Sequence, residues 1–168
     1  MNIPAKDTDL GSYQLKGKVL EIFTYPAPVL KAKTQDVTEF NDELKSLCHD
    51  MIYTMYKAPG IGLAAPQVGV SKKIFVIDTD YSRDKVLTSS GHEEYQLGNL
   101  NPLVFINPIL KEKKGSVLHQ EGCLSFPGVF ENVKRAETLV VEYQEINGTK
   151  REQEVSGLLS ICVQHEND

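Results

Sequence analysis

Tryptophan is absent, cysteine occurs three times, and the sequence contains neither a basic run nor a long apolar stretch. Each shortage excludes a class of protein. Cys48, Cys123 and Cys162 are odd in number and have no CxxC spacing, so a disulfide scaffold is excluded, and any cysteine with a chemical task acts as a thiolate. Lys and Arg number 18 against 23 Asp and Glu, a formal charge of −5. Nucleic acid and anionic membranes attract clustered cations, so neither is an expected partner. No apolar stretch approaches the roughly 18 residues of a membrane span. The first residues, MNIPAKDTDLGSYQLKG, lack the apolar h-region of a secretory leader, and a cytoplasmic location is expected.

What remains is 168 residues that read as one domain, able to bury roughly 70% of the unfolded surface without a disulfide or a structural metal. Residues 1–17 are polar and aperiodic and read as an extension. Asn41 is an N-cap candidate for a helix ending near Lys57, with Asp42 and Glu43 in its first turn. Leu44, Leu47, Cys48, Met51, Ile52 and Met55 recur at three and four and form its core stripe, which makes Cys48 an inert core thiol. KKIFVID predicts a strand. The polar stretch 80–101 reads as a loop insertion that holds a hairpin or a lid. LVFINPIL (103–110) and SVLHQ (116–120) predict strands around a KEKKG turn. TLVVEYQEINGTKREQEV predicts a hairpin with a tight primed turn at Asn147-Gly148. From about Val155 the chain is apolar on nearly all sides, as in a buried helix. The expected fold class is α+β, with mostly antiparallel sheets packed around a central C-terminal helix. Strict βα alternation is missing, and GIG at 60–62 is not followed by the third glycine of a dinucleotide fingerprint.

Three segments carry chemistry: GIGLAAPQVG (60–69), EGCLSFPG (121–128) and QHEND (164–168). Glycines and small alanines in the first allow close backbone approach, and Pro66 disfavours a continuing helix. In the second, Cys123 stands in a short turn closed by Pro127-Gly128, where a thiolate serves as a metal ligand or a nucleophile. In the third, His165-Glu166 matches the first half of H-E-x-x-H, whose two histidines share one helical face. The second histidine would fall one residue beyond Asp168.

Taken together and in this order, from about Tyr25 to Asp168, these segments resemble the peptide deformylases, which remove the N-formyl group from nascent polypeptides. The resemblance implies that Cys123 and His165 are two of three protein ligands to one divalent metal, most often Fe(II), with Zn, Ni or Co as substitutes. It implies Glu166 as general base, and the Gln67 side-chain amide and Leu124 backbone N–H as donors to the developing oxyanion. Gly62 falls where the family's loop meets the substrate backbone, and Ile61, Phe130, Leu158, Ile161 and Cys162 fall near the pocket for the methionine side chain. Arg135 matches the arginine of the family's VxR stretch. The implied partners are N-formylmethionyl nascent peptides and the ribosome that presents them.

The family's C-terminal end, with its third ligand, lies outside the sequence, which opens two expectations. One is a cut-off form of an active deformylase. The other is an impaired relative that binds formyl-methionyl peptides without hydrolysing them. A purely structural domain is a third reading, against which an open apolar groove beside Cys123 would count. His119, four residues from Cys123, is a substitute ligand candidate.

Overall fold

In the computed structural model the described residues are 17–58, 60–123 and 126–168. Apart from Gly17, the expected N-terminal extension lies outside them. In chain order they form α1 (Asp42–Lys57), β1 (Gly62–Ala64), a 3-10 turn (Ala65–Val68), β2 (Ile74–Ile77), β3 (Ser82–Leu87) and β4 (Glu93–Gly98). There follow β5 (Leu103–Lys114), β6 (Val117–Cys123), β7 (Phe126–Arg135), β8 (Thr138–Gln144), β9 (Lys150–Ser156) and α2 (Gly157–Asn167).

The main sheet has the order β1-β2-β5-β8-β9, and every pair of neighbours is antiparallel. β3–β4 and β6–β7 are separate two-stranded ribbons. Alternation along β2 explains the layering, because successive side chains point to opposite faces. Ile74 and Val76 pack with Met51, Ile52 and Met55 of α1, whereas Phe75 and Ile77 pack with Phe105, Leu139, Val141 and Val163, so that α1 and α2 cover opposite faces. All four β2 residues are buried. This is the α+β arrangement expected from the sequence.

Asn41 caps α1 through its side chain, which accepts from Leu44 N–H at 3.0 Å, and the helix ends at Lys57 as its periodicity predicts. Cys48 is fully buried in this layer and Cys162 is 7% exposed in the other. Burial pushes each thiol up to about 12, helped at Cys162 by the charges of Glu166 and Glu121. Both are therefore expected to stay unmodified by iodoacetamide at pH 8 while the protein is folded and to react once urea unfolds it. Rapid labelling of either thiol in the native protein would contradict this assignment.

Two local expectations are corrected, at KEKKG and at Asn147-Gly148, whereas residues 80–101, read as an insertion that holds a hairpin or a lid, hold a hairpin: the β3–β4 ribbon, in register from Ser82↔Gly98 to Leu87↔Glu93. Its polar side chains are compatible with strand because the ribbon lies off the main sheet and its backbone groups pair with each other. KEKKG is not a turn: β5 runs through Lys114, and Lys111 forms ion pairs with Glu142 on β8 and Glu152 on β9. The Asn147-Gly148 turn is not a primed two-residue turn. Gly148 N–H donates to Glu145 O at 2.8 Å, Glu145 N–H donates to Thr149 O, and Gly148 has a φ of +89°. That is a three-residue loop with a left-handed glycine, and it lets Ile146 turn into the core at 8% exposure.

Candidate active site

β9 passes into α2 with no linker, because Gly157 takes a φ of +61°, in the left-handed region where a Cβ is penalised. The helix consequently starts two residues later than the apolar pattern suggests. Leu158, Ile161, Cys162 and His165 lie at i, i+3, i+4 and i+7 and share one stripe. Two buried polar residues fix the helix to the corner between β7 and β8. Gln164 accepts from Ala136 N–H at 2.9 Å and donates to Ala136 O at 3.0 Å, and Ser160 Oγ donates to the same carbonyl. This clamp brings the end of α2 beside Arg135, the last residue of β7.

His165 Nδ1 lies 2.7 Å from Oε1 of Glu121 on β6. Arg135 grips the same carboxylate with two donors, Nε to Oε2 at 2.9 Å and Nη2 to Oε1 at 2.8 Å, and its Nη1 reaches Asp168 Oδ2 at 2.7 Å. Glu121 and Arg135 side chains are 7% and 10% exposed. Burial alone would push the Glu121 carboxyl up; the hydrogen bonds from Arg135 and His165, with their charges, outweigh it and hold the group below the ordinary carboxylate range. An ionised Glu121 stabilises a proton on Nδ1 and aims the Nε2 lone pair away from β6.

On that other side stands Glu166, whose Oε1 is 4.0 Å from His165 Nε2 and whose side chain is 7% exposed. Burial pushes the Glu166 carboxyl up to about 8, with the negative charges of Asp168 and Glu121 acting in the same direction. Glycine at residue 62 leaves room for this placement of the carboxylate: a Cβ there would come within 2.8 Å of Glu166 Oε1 and 3.1 Å of its Cδ and Cγ, so the side chain would have to shift. Gly62→Ala is accordingly expected to displace the carboxylate and to lower kcat by about 10- to 100-fold, since a misplacement near 1 Å costs that much. Unchanged kcat with the thermal midpoint preserved would refute that packing argument.

Gln67, 7% exposed, sits in the 3-10 turn after β1 and accepts from Ala64 N–H through Oε1 at 2.8 Å. That bond orients the amide. Gln67, His165 and Glu166 line a common cavity of about 730 Å³ together with Pro66, Ile74 and Phe75.

Of the residues expected in the site, His165, Glu166, Gly62 and Gln67 are brought together. Ile61, next to Gly62, is 41% exposed, Leu158 is 42% exposed, and Phe130 is 64% exposed with its ring against Gly122. Ile161 and Cys162, by contrast, are buried at 8% and 7%. Cys123 ends β6, paired through the backbone with Phe126 after a register shift, and its side chain lies outside what is described; Leu124 lies outside the described residues. His119 is half-buried on the same strand, with Nδ1 enclosed and without a hydrogen-bond partner among the described residues. Sequence reasoning missed Glu121 as the partner of His165 and left Arg135 without a role. The signal the sequence held was a glutamate two residues before Cys123.

These groups suit a divalent metal. A histidine whose Nδ1 is paired with a buried carboxylate presents Nε2 in the tautomer a metal requires, and Cys123 is carried by the strand that supplies that carboxylate.

Comparison with known proteins agrees with this chemistry. The family model for polypeptide deformylase matches residues 19–168. The peptide deformylase of Erythrobacter litoralis is 41% identical over 163 residues, spanning 89% of this chain and 84% of the relative. That of Thermodesulfovibrio yellowstonii is 43% identical over 150 residues, spanning 89% and 82%. The crystal structure of the Thermotoga maritima peptide deformylase superposes with a TM-score of 0.77 at 36% identity over 90% of both chains. The Synechococcus elongatus peptide deformylase, solved in complex with actinonin, superposes with a TM-score of 0.73 at 37% identity, covering 90% of this chain and 75% of that one. Nothing in these relationships supports the binding-only alternative. On sequence, fold and the chemistry of its gathered residues, the chain belongs to the polypeptide deformylase family of metal-dependent hydrolases.

Proposed function

We propose that the substrates are N-formylmethionyl ends of newly made polypeptides, met in the cytoplasm as they leave the ribosome, and that the metal is Fe(II), with Zn, Ni or Co able to replace it. The observation that carries the reading is the placement of the Glu166 carboxylate 4.0 Å from His165 Nε2, against Gly62, while Nδ1 is tied to Glu121. Among the described residues no helix is long and apolar enough to cross a membrane.

Cys123 and His165 would hold the metal, and what a divalent cation supplies at such a place is Lewis acidity, enough to make water a nucleophile near neutral pH. Glu166 takes the proton from the attacking water and returns it to the departing amine, a task suited to a carboxyl whose affinity for protons is raised by burial. Charge developing on the formyl oxygen meets the Gln67 amide and the Leu124 N–H; one such preorganised donor contributes about 3 to 4 kcal/mol. Gly62 approaches the substrate backbone. Ile61, Phe130 and Leu158 offer exposed apolar surface to a methionine side chain, backed by Ile161 and Cys162.

The test is formate release from a formyl-Met-Ala-Ser peptide by protein loaded without oxygen with Fe(II), Zn, Ni or Co in turn, with metal content read by native mass spectrometry. One metal per chain and fastest release with iron are expected. Stoichiometric iron without formate release would refute the substrate assignment, and a faster zinc form would refute the choice of metal.

A further inference from the structure

The β3–β4 ribbon stands apart from the main sheet, yet its base is bonded to the loop that leads into β1. Asp78, at the end of β2, is fully buried and accepts four hydrogen bonds. They come from Tyr56 Oη at 2.6 Å, Asp80 N–H at 2.9 Å, Tyr81 N–H at 3.1 Å and Asn101 N–H at 2.8 Å. The donors belong to α1 and to both ends of the ribbon, so one carboxylate knots them together. Asn101 and Asn99 close the base further through Asp80, at 2.7 and 2.9 Å.

From this base two donors reach the glycine loop. Tyr81 Oη donates to Gly60 O at 2.8 Å, and Asp78 N–H donates to Ile61 O at 2.9 Å. Gly60 N–H donates in turn to Met55 O at 2.9 Å, at the end of α1, and the Tyr81 ring stands edge-on to Tyr56 at 4.8 Å. Both carbonyls that precede Gly62 are thus held from the ribbon side, and Gly62 in turn contacts the Glu166 side chain. A Gly-Ile-Gly segment has high intrinsic backbone freedom, and freedom left in a binding loop must be removed when a ligand binds.

We propose that Tyr81 is a positioning residue for the reaction, bracing Gly60–Gly62 so that substrate meets a preordered backbone, and that the β3–β4 ribbon is a strut and not a lid. This rests on the reading above in which Gly62 and Ile61 contact substrate. Removing the hydroxyl with Tyr81→Phe keeps the ring and its contact with Tyr56 and deletes one bond to the loop.

The experiment compares wild type, Tyr81→Phe and Leu87→Ser in the formate-release assay, with amide hydrogen exchange read across residues 60–64 of the free proteins. Leu87 is 74% exposed near the ribbon tip, the kind of apolar side chain a lid would close with. For Tyr81→Phe the expectation is a KM raised about 5- to 10-fold with kcat within about twofold, the size of one lost hydrogen bond. Exchange at residues 61 and 62 should quicken by about the same factor, and Leu87→Ser should match wild type in both. A merely structural tyrosine would reduce the folded fraction, and with it apparent kcat, while leaving KM unmoved. Unchanged exchange, or faster exchange with unchanged KM, overturns the brace. A KM raised by Leu87→Ser overturns the strut in favour of a lid. Wild type that releases no formate in the same assay overturns the substrate reading itself and with it the claim on KM.

Discussion

Glu166→Ala is expected to lower formate release by about 10²- to 10⁴-fold, the range for loss of a general acid–base group, while the protein stays folded and retains its metal. The separation of the two outcomes follows from the geometry. Glu166 is not what orients His165: that imidazole is held from the opposite side by Glu121 at 2.7 Å. Deleting the Glu166 carboxyl therefore leaves the proposed ligands in place. Stability is expected to hold or rise, because a carboxyl pushed up to about 8 by burial is one the fold accommodates at a cost. Glu166→Gln separates charge from shape and is expected to be as inactive as the alanine variant. Formate release that survives either change with metal still bound would sink the assignment of Glu166 as the base.

Arg135→Met is expected to be the most destabilising single change around the site. Arg135 and Glu121 are a buried pair, and removing one member of such a pair costs about 3 to 5 kcal/mol because the other is left desolvated and under-partnered. For a chain of this length that corresponds to a drop in thermal midpoint of roughly 6 to 20 °C. The pH dependence supplies a second readout. Since Glu121 is held below its ordinary value of 4.5 in the folded state, its contribution to stability is fully present above 4.5 and is lost as pH falls through the lowered folded value. Wild type should therefore lose stability in acid faster than Arg135→Met, whose Glu121 has lost the guanidinium that holds it ionised. Arg135→Lys keeps the charge without the two-pronged grip and should fall between them. Equal midpoints for wild type and Arg135→Met across pH 3 to 7 would show that the pair contributes nothing.

Arg135 is a residue whose role the sequence leaves open, and the reason is physical. A helical periodicity places Leu158, Ile161, Cys162 and His165 on one stripe, a local relation legible in the sequence. The bond from Glu121 to His165 spans 44 residues and the grip of Arg135 on Glu121 spans 14. These distances are set by the β6–β7 register and by the Gln164–Ala136 clamp, which no pattern within a few residues encodes.

Sequence alone determined the capped α1 with its core stripe, the buried C-terminal helix and the family to which the motifs point, and it singled out His165 and Glu166 as the groups proposed to react. Those rest on side-chain type and short-range periodicity, which survive without coordinates. Tertiary structure decided the rest: that Glu121, gripped by Arg135, holds His165, that Gly62 lies against the Glu166 side chain, and that the polar stretch after Asp78 is a ribbon rooted on a buried carboxylate. Each of these is a contact between segments far apart in the chain, and its partner is chosen only when strand register and helix docking bring the two surfaces together.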